Sequence, residues 1–75
     1  MSQLKKISGK ECVKILCNKF NFKIIRQSGS HIILKKGNGE TIGTVVPNHK
    51  EIKLGTLKGI LRLAKISEVE FASYQ

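Results

Sequence analysis

The turn-forming triplet Ser28, Gly29, Ser30 lies between two short runs, Phe22 to Gln27 and His31 to Lys36, and this arrangement constrains the fold more than any other stretch. Glycine supplies positive φ at little steric cost and serine favours turns, so the chain reverses here. In a strand, successive side chains point to opposite faces. Strict alternation places Phe22, Ile24 and Arg26 on one face of the first run, and Lys23, Ile25 and Gln27 on the other. The second run divides into His31, Ile33 and Lys35 against Ile32, Leu34 and Lys36. If Ile32 and Leu34 point into a core, His31 and Lys35 project together from the solvent-facing side, with His31 on the strand's first residue. The inverse assignment buries His31, and alternation alone leaves both open.

The flanking segments supply the cover for such a sheet. Leu4 and Ile7 form a short lead-in, and Ser8 with Glu11 makes the capping-box pattern that opens a helix. Cys12, Ile15, Leu16 and Phe20 follow at helical spacing. Asn21, which tolerates the left-handed conformation, ends that helix. Gly37, Asn38 and Gly39 predict a turn, a third strand runs from Thr41 to Val46, and Pro47 stops it for want of an N–H. The polar segment Asn48 to Lys53, which holds the second histidine, His49, reads as a loop over the sheet edge. A second long helix begins near Leu54 to Thr56 and carries Leu57, Ile60, Leu61 and Ala64 as its apolar stripe. Ser67 and Glu70 repeat the capping-box spacing before Phe71, which predicts a short terminal helix. The expected architecture is a single α+β domain over residues 1–75, in two layers, with a three-stranded antiparallel sheet and both main helices on one face (α-β-β-β-α plus the short helix).

Charge narrows the function. The 75 residues carry a formal net charge of +9, and all 14 basic residues lie within residues 1–65, whereas residues 66–75 contribute two glutamates and no base. Net charges of magnitude about 2–8 suffice to keep a small domain in solution, so the excess points to a polyanionic partner. Nucleic acid fits best, because each neutralised phosphate releases counterions. A domain of this size buries only about 60% of its unfolded surface, which argues against a large enclosed substrate cavity. Apolar runs of at most three residues predict neither a membrane span nor a signal peptide or anchor. Cys12 and Cys17, about 140° apart around a helix, are badly placed to bridge each other and read as reduced thiols of a cytoplasmic protein. Without a CxxC and with two dispersed histidines, no metal site and no cofactor are expected.

Ser8 to Glu11, the Arg26 to His31 run, Val46 with Pro47 and His49, and Gly55, Thr56, Leu57, Ile60, Leu61 occur in this order, and together they resemble the HicA toxin family over almost the whole chain. The most specific part is Gly29, Ser30, His31 followed some two dozen residues later by Gly55, Thr56, Leu57. The resemblance implies a fold like the double-stranded RNA-binding domain, an mRNA-cleaving ribonuclease activity on single-stranded RNA, and inhibition by a HicB antitoxin. It also implies that His31 is catalytic. Asn21 stands where such proteins usually have glycine, a change that the shared left-handed conformation accommodates.

The chemistry agrees with that implication. RNA carries its own nucleophile, the 2′-hydroxyl, so cleavage needs a proton acceptor, charge neutralisation and alignment. Histidine, with an unperturbed pKa of about 6.5, is suited to proton transfer near neutral pH. His31 is the candidate general base, or in its protonated form the donor to the leaving 5′-oxygen; one histidine does not start a turnover in both states, so a second group or water completes the transfers. Lys35 is the candidate for stabilising transition-state charge, with Lys23 or Lys36 as substitutes, while a generic basic surface gripping the RNA backbone explains each lysine equally well. Thr56 at the second helix's N-terminus offers either a phosphate contact or a simple cap. Ser30 belongs with the RNA contacts and the turn; no relay supports it as a nucleophile. His49 reads as loop surface. The partners expected are mRNA and a HicB-type antitoxin that covers the His31 face, with a monomer when free and a hetero-oligomer with the antitoxin. A non-cutting RNA-binding module and a protein-interaction domain are the competing readings.

Overall fold

The computed structural model describes residues 3–37 and 41–75. Ser8 starts the first helix, α1 (Gly9–Lys19), as its side-chain oxygen accepts from the Glu11 N–H at 3.1 Å. Asn21 stands in the left-handed region at φ 62° and turns the chain into β1 (Lys23–Ser28), followed by β2 (His31–Gly37) and β3 (Thr41–Pro47). The helices α2 (Leu54–Ala64) and α3 (Glu68–Ala72) complete the order. Ser67 caps α3 by accepting from the Glu70 N–H at 3.0 Å. The turn expected at Gly37 to Gly39 falls largely outside the described residues.

The sheet is antiparallel in the order β1-β2-β3. Ser28 pairs with His31 around the two-residue loop Gly29–Ser30, with Gly29 at φ 60°. Glycine at the first central position suits the tight turn that matches strand twist. On β2, Ile32 and Leu34 are buried while His31 and Lys35 are exposed, which resolves the open choice of face. In β1 strict alternation fails. Ile24 pairs with Leu34 but Arg26 pairs with Ile33, so Ile25 is an extra residue forming a β-bulge. Lys23, Arg26 and Ser28 therefore share the outer face with His31, and Ile24 and Gln27 share the inner one; the expected grouping of Ile24 with Arg26 is corrected.

Both main helices lie against the sheet on its inner face, over β3, so β1 remains exposed along its whole length. Leu16 of α1, Leu34 of β2, Val46 of β3, Leu57 and Leu61 of α2, and Phe71 of α3 are fully enclosed. Burying each such side chain contributes about 1.5–3 kcal/mol. The buried Thr44 hydroxyl donates to the Ile60 carbonyl at 2.8 Å, tying β3 to α2 without leaving a polar atom unpaired. The C-terminal segment closes the far side: Phe71 and Tyr74 pack on Phe20 with ring centroids 6.2 and 5.5 Å away. The Gln75 side chain donates to the Lys5 carbonyl at 2.7 Å and accepts from its N–H at 2.9 Å. Among the described residues no helix is long and apolar enough to cross a membrane.

The two thiols sit in different environments. Burial pushes Cys12 up to about 12, and partial burial also raises Cys17. Because the thiolate is the reactive form, a thiol-specific reagent at pH 8 is expected to modify Cys17 and spare Cys12 until the chain unfolds. Mass-spectrometric mapping in native buffer and in urea measures this. Rapid native labelling of Cys12 would contradict the packing of α1.

Candidate active site

His31 is the first residue of β2, and the β2–β3 register places it opposite Pro47. The chain leaving β3 therefore returns to His31, where two backbone hydrogen bonds hold it. The Asn48 N–H donates to the Ser30 carbonyl at 2.6 Å, and the Gly9 N–H donates to the His49 carbonyl at 2.8 Å. Gly9 is the first residue of α1, and its lack of a side chain lets the loop approach. A Cβ there would collide with the Pro47 carbonyl oxygen and lie 2.9 Å from Asn48 Cα. Further along, the Ile52 N–H donates to the Ile7 carbonyl at 2.7 Å, which anchors the start of α2 to the N-terminal lead-in.

This arrangement encloses an open pocket of about 530 Å³ with His31, His49, Glu51, Lys53 and Thr56 on its polar walls. Val45, Pro47 and Ile52 form its apolar walls. Both imidazoles are solvent-exposed. Lys53 is the N-cap of α2 and provides no side-chain hydrogen bond to it. Thr56 therefore lies inside the helix and does not cap it. The helix start carries partial positive charge and the Lys53 ammonium adds to it, while the Glu51 carboxylate on the same wall offsets part of that charge. Two imidazoles beside that position offer ring nitrogens that can accept or donate a proton.

The sequence-predicted residues divide between two places. His31 and Thr56 line the pocket, and Ser30 holds its loop through the backbone. Lys23, Lys35 and Lys36 instead line a separate depression of about 250 Å³ with Asn21 and Thr41. Lys35 shares the outer face with His31 but is four residues along β2, roughly 13 Å at 3.3 Å per residue. Lys36 belongs to the inner face, with its ammonium 5.2 Å from the centre of the Phe22 ring. Sequence reasoning missed His49 and Lys53 as neighbours of His31. The signal was available in the topology: β2 and β3 are antiparallel, so residues just beyond Pro47 must lie beside the start of β2. Among the described residues no three His, Cys, Asp or Glu side chains form a group suited to a metal ion.

A small basic α+β domain with two histidines, a lysine and a glutamate lining one open pocket is thus what the chain forms. A family model for the HicA toxin of bacterial toxin-antitoxin systems matches residues 9–66, and the chain belongs to that family. It is accordingly a toxin of a toxin-antitoxin system, with a paired antitoxin. No curated protein and no solved structure gives a significant match.

The close approach at Gly9 yields a stability test. Gly9→Ala is expected to lose about 1–3 kcal/mol, the usual range for overpacking a tight contact. Urea unfolding would show a lower midpoint with little change in slope, and an unchanged midpoint would mean that the Pro47 to His49 loop is not clamped to α1.

Proposed function

We propose that this toxin is an endoribonuclease that cleaves mRNA without a metal, with His31 as its catalytic base, and that a HicB-type antitoxin inhibits it by covering the His31 face. The observation that carries the reading is the exposed imidazole of His31 in a pocket shared with Lys53 and the start of α2. The attacking group belongs to the RNA. His31 removes the 2′-hydroxyl proton, the oxygen attacks the adjacent phosphorus, and the cluster of positive charge at Lys53 and the helix start stabilises the additional negative charge. Thr56 contacts the phosphate from the same helix start. Lys23 and Lys35, at the other end of the sheet, hold a different phosphate of the same strand and position it without reading its sequence. Ser30, at the turn directly before His31, contacts the RNA at the His31 end, and Lys36, which lines the same depression as Lys23 and Lys35, adds a cation at the other end.

The fold suits this role because, among the described residues, no helix packs on the outer sheet face. An RNA strand lying along β2 meets cations at one end and His31 at the other. A partner placed on the same face excludes RNA without altering the fold. The free toxin is proposed to be a monomer and the inhibited form a hetero-oligomer with its antitoxin.

The test is incubation of the purified protein with a long single-stranded RNA in EDTA, beside a folded His31→Ala variant. The wild type is expected to produce 2′,3′-cyclic or 3′-phosphate ends, and the variant to lose about 10²- to 10⁴-fold in rate. RNA binding by the variant is expected to be largely retained, because phosphate contacts are spread over several lysines. Intact RNA with retained wild-type binding would favour a non-cutting RNA-binding module instead.

A further inference from the structure

Cleavage of RNA by its own 2′-hydroxyl has two proton movements, and the proposed function assigns only one. The 2′-oxygen loses a proton as the O2′–P bond forms, and the 5′-oxygen needs a proton as the P–O5′ bond breaks. The pocket that holds His31 contains three other titratable side chains: His49, Glu51 and Lys53. A carboxylate near neutral pH has no proton to donate, and an ammonium with an ordinary pKa of about 10.4 donates one reluctantly; an imidazole, ordinarily at about 6.5, donates readily. Chemistry alone therefore selects His49 among the three.

Position supports the same choice. The His49 backbone is fixed by the bond from the Gly9 N–H to its carbonyl, and its own N–H donates to the Pro47 carbonyl at 2.9 Å. The neighbouring Asn48 is bonded to Ser30, directly before His31. The two histidines are thus mounted on one rigid junction of α1, the β1–β2 turn and the end of β3. They line one pocket, His31 from the start of β2 and His49 from the loop after β3, with the α2 start and Lys53 on its wall. On its other side His49 borders a smaller depression, of about 350 Å³, with Ser8, Lys10 and Lys50. These cations lie outside the pocket that His31 shares.

We infer that His49 is the second proton-transfer group of this site, acting as the general acid that protonates the leaving 5′-oxygen while His31 acts as the base. This rests on the ribonuclease reading. In the first step neutral His31 takes the 2′-hydroxyl proton, O2′ bonds to phosphorus, the P–O5′ bond breaks, and protonated His49 supplies the proton to O5′. The products are a 2′,3′-cyclic phosphate and a 5′-hydroxyl, with His31 now protonated and His49 neutral. Hydrolysis of the cyclic phosphate with the roles reversed, or proton exchange with water, restores both.

A leaving-group substitution tests the inference directly. The RNA linkage that the wild type cuts is prepared with its ordinary 5′-oxygen and, separately, with a bridging 5′-sulfur, whose thiolate departs without protonation. His49→Ala, and His49→Gln as a variant that keeps a polar side chain of similar size, are compared with His31→Ala after circular dichroism confirms folding. Both His49 variants are expected to lose about 10²- to 10⁴-fold on the oxygen substrate and to recover most of that loss on the sulfur substrate. His31→Ala should remain slow on both. Near-wild-type cleavage of the oxygen substrate by both His49 variants would overturn the inference while leaving His31 as base. Equal losses on both substrates would also overturn it, since that pattern marks a binding or structural role. A wild type that cuts no linkage of a long single-stranded RNA, so that no such substrate can be chosen, would overturn the ribonuclease reading, and this inference with it.

Discussion

The antiparallel pairing of β2 with β3 is the constraint on which the rest of the structure depends. β2 is the central strand, and its inner residues Ile32 and Leu34 are buried beneath the helices. A slip of one residue would turn these side chains to solvent and drive His31 and Lys35 into the core. Losing the burial of two large aliphatic groups, at about 1.5–3 kcal/mol each, would be joined by the cost of burying a lysine charge. The core thus locks the register, and the register builds the pocket. With His31 opposite Pro47, the chain beyond β3 has to pass His31 before α2 begins.

The elements whose signals are local were legible in the sequence. Ser8 and Ser67 act as the caps that their spacing with Glu11 and Glu70 suggested, Asn21 adopts the left-handed conformation, and Pro47 is the last residue of β3. The face of His31 was not legible from alternation, because both sides of β2 carry isoleucine; the packing of Leu34 against the helices decides it. The bulge at Ile25 was equally hidden. Ile24 and Ile25 are both apolar, and both stand about half exposed, at 55% and 54%, so no burial preference marks which one leaves the ladder. An uncovered edge strand has little to impose a register beyond its neighbour's hydrogen bonds.

The same difference between local and distant signals explains the site. His31 stands out through its own neighbours, a tight turn before it and an apolar run after it. His49 and Lys53 acquire meaning only when strand pairing returns them to the start of β2. Lys35 shows the reverse case. It shares a face with His31, yet the length of the strand separates them, so sharing a face does not make two residues members of one site. The basic residues are consequently not one undivided patch. Lys53 stands on the wall of the His31 pocket, and Lys23, Lys35 and Lys36 lie together near the opposite end of β2, an arrangement that suits an extended polyanion better than a single small ligand.

An open pocket also determines how such a chemistry has to be controlled. Under the proposed reading, RNA brings the nucleophile and the protein brings proton transfer and positive charge, so no deep cavity is required. A 75-residue domain can therefore hold a complete site on its surface. The same economy leaves His31 and His49 both in contact with solvent. Under the same reading, a partner that occupies the outer sheet face supplies the restraint from outside the domain. A net charge of +9 means that an acidic covering surface competes with RNA for the same field. That competition needs no rearrangement of the core, because the face that is covered and the face that packs against the helices are opposite sides of one sheet.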